Sequence, residues 1–360
     1  MSKTSVVRET SLPKTSLLTS PTAAVRAESN AARVISHDHH ISKLNIARLR
    51  TKIIYSVRNL ITQPAYFLIF ALARFKVCRQ IYAYWSRFKS YSSAKVDRQT
   101  DSLFELDPTA TVNTLKQDGV CTGLNLPEQF LADLQQYLLT QNCYAGGKSH
   151  LGFKIWEKDR LDRDFKQPFY VARYFNLSTA CPQIIQLVND PKLQKIATGY
   201  IGKEAKYTGA SLFWTFPIEG VSVDADQQMF SHFHYDIDDF AGLRFCFYLT
   251  DVTLDDGPHI CIRGSHIKKR IHHVLNYFSR IQTAAELAKT YESEKFETIT
   301  GKSGSGFMED TFCFHKGNPP KSQPRLFLQL HFAAHNYSQG KYLDDRDPST
   351  LGSWQESLSV

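Results

Sequence analysis

The sequence predicts a mainly β protein with flanking helices, and three observations carry that reading. From Tyr207 onward the chain becomes a series of short aromatic and β-branched runs separated by Gly, Pro and Asp turns. Ahead of that point, apolar residues recur at helical spacing. With 360 residues, 42% of them apolar and 12% aromatic, the chain can bury a sizeable core.

The elements follow in order. Residues 1–42 are poor in aromatics and rich in Ser, Thr and Ala, the composition of a disordered tail. No apolar h-region marks a secretory leader. Residues 43–100 form a basic, apolar segment expected to be helical. Between positions 41 and 100 there are twelve Lys/Arg against the single acid Asp97, a net of +11. Residues 1–40 add +2 and the remainder carries −5, so the basic balance belongs to the N-terminal segment. A nucleic-acid partner is therefore not expected. Within the segment, the dense apolar run 65–73 follows Pro64 at a plausible first helical turn, with Thr62 as a cap. Arg58 and Arg74 leave fifteen uncharged positions between them, short of the ~20 a bilayer span needs. Two readings stand ahead of a span: a helix docked on the body, or a basic amphipathic helix lying on an anionic membrane.

A joint near 92–108 leads into the main domain, 101–345. The stretch 126–139 has helical spacing with Pro127 in its first turn, and 184–200 is a second helix broken near Asp190-Pro191. Strands are expected at 211–216, 243–250, 259–263, 311–315 and 325–333, with a helical insertion at about 284–297. Residues 346–360 are a C-terminal tail. The seven cysteines are odd in number and contain no CxxC pair, which argues against a disulfide framework or zinc finger and fits a reducing compartment. A cytoplasmic location is expected, with peripheral membrane contact through residues 43–100 as its extension.

The chemistry centres on His234-Tyr235-Asp236. On an extended chain the outer two side chains of H-x-D point to one face, so an imidazole and a carboxylate can grip one metal. A third His from a distant strand would complete a 2-His-1-carboxylate face, leaving positions open for a bidentate co-substrate and O2. Thirteen histidines give about half an H-x-D by chance at average Asp usage, so the motif counts through its place at the start of the β region. The second half is His315, a turn, and Arg325. Read as strand, turn and strand, it brings a guanidinium near His315, able to hold the far carboxylate of 2-oxoglutarate in a fork. The same ten-residue His–Arg offset recurs at His40/Arg50, His150/Arg160 and His234/Arg244. Only His315/Arg325 lies downstream of Asp236 in a hairpin pattern. His259 and His266 fall in a Gly-rich turn region and read as structural or pocket-lining. Asp238 and Asp239 could orient the ligands or bind substrate, with surface turn acids the simpler account. Gln329 and His331 share the Arg325 face of the last strand.

These stretches, with HYD, YLTDV, DDGPH and RGSH between 234 and 266 and the run 306–329, resemble the phytanoyl-CoA dioxygenase family. The likeness covers roughly 110–345 and is strongest from about 207 to 335. It implies a double-stranded β-helix, the jelly-roll or cupin-like core. It further implies Fe(II) held by His234, Asp236 and His315, with Arg325 anchoring 2-oxoglutarate. The implied activity is O2-dependent hydroxylation of a small organic or lipid-like substrate, with release of succinate and CO2. Two positions depart from the pattern: Tyr235 stands where some members have Gln, and Gly317 where some have Ser. Family halogenases replace the carboxylate with a small residue, and here Asp236 is present. The alternatives are a halogenase, epimerase or cupin-type isomerase on the same scaffold, or a non-catalytic membrane-associated binding protein.

Overall fold

In a computed structural model, the structure describes residues 54, 57–58, 60–89, 101–202, 205–217, 232–275, 281–336 and 345–358. The tail expected at 1–42 lies outside them, as does part of the N-terminal segment. The first helices are α1 (Pro64–Leu72), with Pro64 in its first turn as expected, and α2 (Lys76–Lys89). Next come α3 (Pro108–Asp118), capped by the Asp107 carboxylate on Thr109 N–H, and α4 (Glu128–Thr140), which begins directly after Pro127. After α5 (Lys158–Phe165), the expected broken helix is two helices, α6 (Pro182–Val188) and α7 (Pro191–Ile201). The break has a local cause: Asp190 leaves α-helical geometry and its carboxylate accepts the N–H groups of Lys192 and Leu193, while Pro191 occupies the first turn of α7. The expected insertion near 284 is one short helix, α8 (Ala284–Ala288), closed by a reciprocal Thr283/Glu286 capping box.

Strands β1 (Val120–Asn125), β2 (Cys143–Ala145), β3 (Gly152–Phe153) and β4 (Val171–Arg173) precede the long β5 (Lys206–Thr215). They are followed by β6 (Gly242–Tyr248), β7 (His259–Ile262), β8 (Phe296–Ile299), β9 (Ser305–Asp310), β10 (His315–Gly317) and β11 (Arg325–Ala333). All pairings are antiparallel. The strands form an eight-stranded sheet ordered β1-β9-β6-β11-β5-β4-β2-β3 and a three-stranded sheet ordered β10-β7-β8. Two open sheets with helices outside them make the jelly-roll scaffold expected from the sequence.

Strand alternation sorts each sheet into two faces. Leu243, Phe245 and Phe247 of β6 and Leu326, Leu328 and Leu330 of β11 point outward into the main apolar cluster, beneath α3, α4 and α7. Outside the small sheet, Ile260, Ile262 and Phe314 join Phe233 and Tyr235, and Ile69 and Ala73 at the C-terminal end of α1 pack there too. Between the sheets lies a smaller cluster that includes Cys246, Tyr248, Cys261, Phe307 and Phe327. The remaining inward positions of that interior are polar.

Candidate metal centre

His234, Asp236 and His315 come together: one ligand atom from each lies within 4.8 Å of the others. The backbone accounts for it. His234 and His315 face each other in an antiparallel bridge, each N–H donating to the other's carbonyl at 2.9 and 2.8 Å. Their rings stand 4.5 Å apart between centroids. Two residues on, Asp236 N–H donates to Thr311 O at 2.8 Å, keeping the segment extended so that Asp236 returns to the His234 side.

Both imidazoles are oriented for the same task. His234 Nδ1 lies 2.9 Å from His232 O, and His315 Nδ1 lies 3.0 Å from Cys313 O. A carbonyl only accepts, so each Nδ1 carries the proton and each Nε2 keeps its lone pair for a metal. His315 Nε2 stands 3.6 Å from Asp236 Oδ2. The Asp236 carboxylate is clamped by Arg244, whose Nη2 is 2.5 Å from Oδ2. Burial works to raise the Asp236 carboxyl, but the Arg244 guanidinium, aided by His315 and His234, holds it well below the usual carboxylate range. Two imidazole lone pairs and an ionised carboxylate on one face fit a non-haem iron site with open positions.

Arg244 itself was not among the residues singled out from the sequence. It sits on the inward face of β6, beside Cys246 and Tyr248 by alternation, and its Nε donates to His331 Nδ1 at 3.2 Å. It also reaches Asp238 at 3.3 Å. Asp238 and Asp239 are therefore not surface turn acids. Both are buried, and Asp239 accepts the His335 backbone N–H at 2.5 Å. Glu309 was missed as well. This buried β9 carboxylate pairs with His259 Nε2 at 3.0 Å and lies 3.8 Å from His315 Nδ1. His259 stacks on His315 with centroids 5.4 Å apart, so it lines the site. His266 lies elsewhere: its ring meets Lys116 O and the Cys313 thiol.

Arg325 opens β11 and pairs in register with Thr215, whereas His315 opens β10 and pairs with Cys261 in the other sheet. The two are not partners in one hairpin, as their spacing suggested. The connection between them crosses from one sheet to the other. It is pinned by Asp256, whose carboxylate accepts Ser322 Oγ and Gln323 N–H. Gly257 is needed beside it: with φ at +77°, a Cβ would stand 2.7 Å from Asn318 O. Gly257 O in turn accepts a hydrogen bond from Arg325 Nη1. The Arg325 guanidinium is buried over the Phe327 ring at 5.2 Å, and its Nε has no hydrogen-bond partner among the described residues. Among the described residues no carboxylate lies within ion-pair distance of it. Burial lowers its pKa, with Tyr248 and Tyr170 opposing.

No protein-family model matches this chain, and no curated protein matches it, so the resemblance to the phytanoyl-CoA dioxygenases is not reproduced by either comparison. Solved structures do align. The epimerase SnoN, in complex with Fe3+, alpha-ketoglutarate and nogalamycin RO, is 14% identical over 69% of this chain and 96% of its own, with a TM-score of 0.44. EctD from S. alaskensis with bound Fe is 17% identical over 73% of this chain and 87% of its own, with a TM-score of 0.42. EvdMO1 is 14% identical over 63% of this chain, with a TM-score of 0.40, and this chain spans 49% of its length.

Proposed function

We propose that this protein is an Fe(II)- and 2-oxoglutarate-dependent dioxygenase that hydroxylates a small organic or lipid-like substrate. One conjunction supports the reading. A 2-His-1-carboxylate face, with a backbone carbonyl facing the Nδ1 of each imidazole, shares its interior with a buried guanidinium that has no carboxylate partner among the described residues. Leaving a cation buried without a counter-ion is costly. A dicarboxylate co-substrate supplies that counter-ion.

In this reading, His234, Asp236 and His315 hold the iron. Arg325 pairs with the distal carboxylate of 2-oxoglutarate in a charge-assisted fork. When bound, iron(II) with 2-oxoglutarate and O2 supplies the oxidant: one oxygen atom leaves in succinate as CO2 is released, and the other is inserted into a substrate C–H bond. The chain's own contributions are structural and electrostatic. Arg244 keeps Asp236 ionised and oriented. The carbonyls of His232 and Cys313 fix both imidazole tautomers. The aromatic lining, Phe307, Phe327 and Tyr248, makes the wall between the sheets apolar. Asp236 fills the position that family halogenases leave small, which favours hydroxylation over halogenation.

The test is direct. Anaerobic protein given Fe(II) and then 2-oxoglutarate should develop a weak visible charge-transfer band, and in air should convert 2-oxoglutarate slowly to succinate without substrate. Stoichiometric zinc as purified, with no band after iron loading, would overturn the assignment in favour of another metal enzyme or a non-catalytic scaffold.

A further inference from the structure

Amphipathic helices bury their apolar stripe and show water their polar one. Here α2 leaves a large apolar stripe exposed. Val77, Ile81, Tyr84 and Trp85 recur at helical spacing, and all are exposed, Trp85 at 66%. On the side that meets the body the contacts are made by Arg79 and Tyr82. Arg79 donates to the carbonyls of Ala73, Arg74 and His266 and lies over the Phe312 ring, and Tyr82 stacks on Phe240. The preceding α1 is split likewise: Tyr66, Ile69 and Ala73 face the body, while Leu68 and Leu72 face out. Sixteen large apolar residues are exposed among the described residues, and ten of them lie between positions 54 and 85. The other six are dispersed along the rest of the chain.

We propose that the outward face of α1 and α2 is a docking surface for an anionic phospholipid bilayer. Its charge selects that occupant. No acidic residue occurs between Asp38 and Asp97, and the net charge of 41–100 is +11. Arg58 and Lys76 are exposed alongside the apolar stripe. Apolar side chains flanked by cations are what headgroup-level insertion into an anionic leaflet needs. A second copy meeting this face through its own would set like charge on like. No helix among the described residues is long and apolar enough to cross a membrane, so the helices lie on the bilayer with their inner side still on the protein. The inference is independent of the metal centre.

The test uses the full chain with vesicles of phosphatidylcholine alone and of phosphatidylcholine mixed with phosphatidylglycerol. It should pellet with the mixed vesicles, not the neutral ones, and raised salt should release it. The triple variant Leu72→Ser, Ile81→Ser, Trp85→Ser should bind at least about 100-fold more weakly, with an unchanged melting temperature showing that it folds. A blue shift of tryptophan emission on binding should vanish in Trp85→Phe. Three results would overturn the proposal: no pelleting with anionic vesicles at low salt, equal binding to neutral ones, or a folded triple variant that binds like wild type. Self-association abolished by the triple variant, without vesicle binding, would instead assign the face to a second copy.

Discussion

Two buried arginines share the interior between the sheets, and replacing each by methionine should have opposite consequences. Arg325→Met removes a cation that has no carboxylate partner among the described residues. The apo protein loses one hydrogen bond, to Gly257 O, a cost of about 1 kcal/mol, and is relieved of the desolvation of a charge. Its unfolding free energy should therefore stay within about 1 kcal/mol of wild type. Binding of 2-oxoglutarate should suffer instead. A charge-assisted hydrogen bond contributes about 1.5–3 kcal/mol, so affinity should fall about 10- to 100-fold. At a concentration about one hundred times the wild-type Kd, the co-substrate adds about 2.7 kcal/mol of stability to the iron-loaded protein. In the variant the same concentration should add only about 0.4–1.4 kcal/mol. Arg244→Met removes the partner of Asp236 and Asp238. Loss of one member of a buried ion pair costs about 3–5 kcal/mol, and metal affinity should drop with it. Denaturant unfolding of the apo proteins, and anaerobic titration of the charge-transfer band, measure both effects. An Arg325→Met protein with wild-type 2-oxoglutarate affinity would remove Arg325 from the site.

Three further outcomes are expected. His234→Ala, Asp236→Ala and His315→Ala should each abolish 2-oxoglutarate turnover through lost iron, read as metal content after gel filtration; a variant that keeps both is not missing a ligand. Burial tends to raise the Asp256 carboxyl, but hydrogen bonds from Ser322, Thr253 and Gln323 hold it below its usual value. Its stabilising contribution is therefore present above the unfolded-state value of about 4 and lost as pH falls through the lower folded value. The stability gap between wild type and Asp256→Asn should be full at neutral pH and close in acid; a gap independent of pH would show that the ionised form is not what matters. Finally, a chain shortened to begin at residue 101 should be less stable, because Ile69 and Ala73 pack in the cluster that holds Phe233 and Tyr235, each large apolar side chain contributing about 1.5–3 kcal/mol. An unchanged melting temperature would show that α1 is not needed there.

The parts legible in the sequence were those set by local rules. Pro127 and Asp190-Pro191 marked helix starts because proline and a capping carboxylate act within one turn. The last strand was read at its observed limits because its apolar alternation is long. The stretch 311–315 was misread, since its aromatic texture resembles a strand. Up to β10, which opens at His315, it is a turn: Asp310 accepts the N–H groups of Phe312 and Cys313, through its carboxylate and carbonyl respectively, and Phe312 and Phe314 fill the outer cluster instead. Strands β2 to β4 have two or three residues, too few for a period to show. Although the hairpin read between His315 and Arg325 is in fact a crossing between the sheets, the grouping of His234, Asp236 and His315 was legible, because H-x-D is a local motif and His315 lies downstream of it in an aromatic run. Arg244 and Glu309 were not, because their significance comes from pairing across strands and between sheets, which one-dimensional spacing does not encode.

The placement of the apolar clusters explains why a polar interior is tolerated. In an ordinary sandwich the facing sides of two sheets supply the core. Here those sides hold Arg244, His259, Glu309, His315, Arg325 and His331, all buried. Such groups cost stability unless each is paired. Arg244 with Asp236 and Glu309 with His259 meet that condition internally, and Arg325 has no such carboxylate partner among the described residues. The stabilising burial is displaced to the outer faces, where α3, α4 and α7 cover the large sheet and the end of α1 covers the small one. The flanking helices are thus what allows the space between the sheets to be spent on chemistry. The same division ties the N-terminal helices to the candidate site: the end of α1 shares an apolar cluster with Phe233, Tyr235 and Phe314, the immediate neighbours of the three proposed ligands.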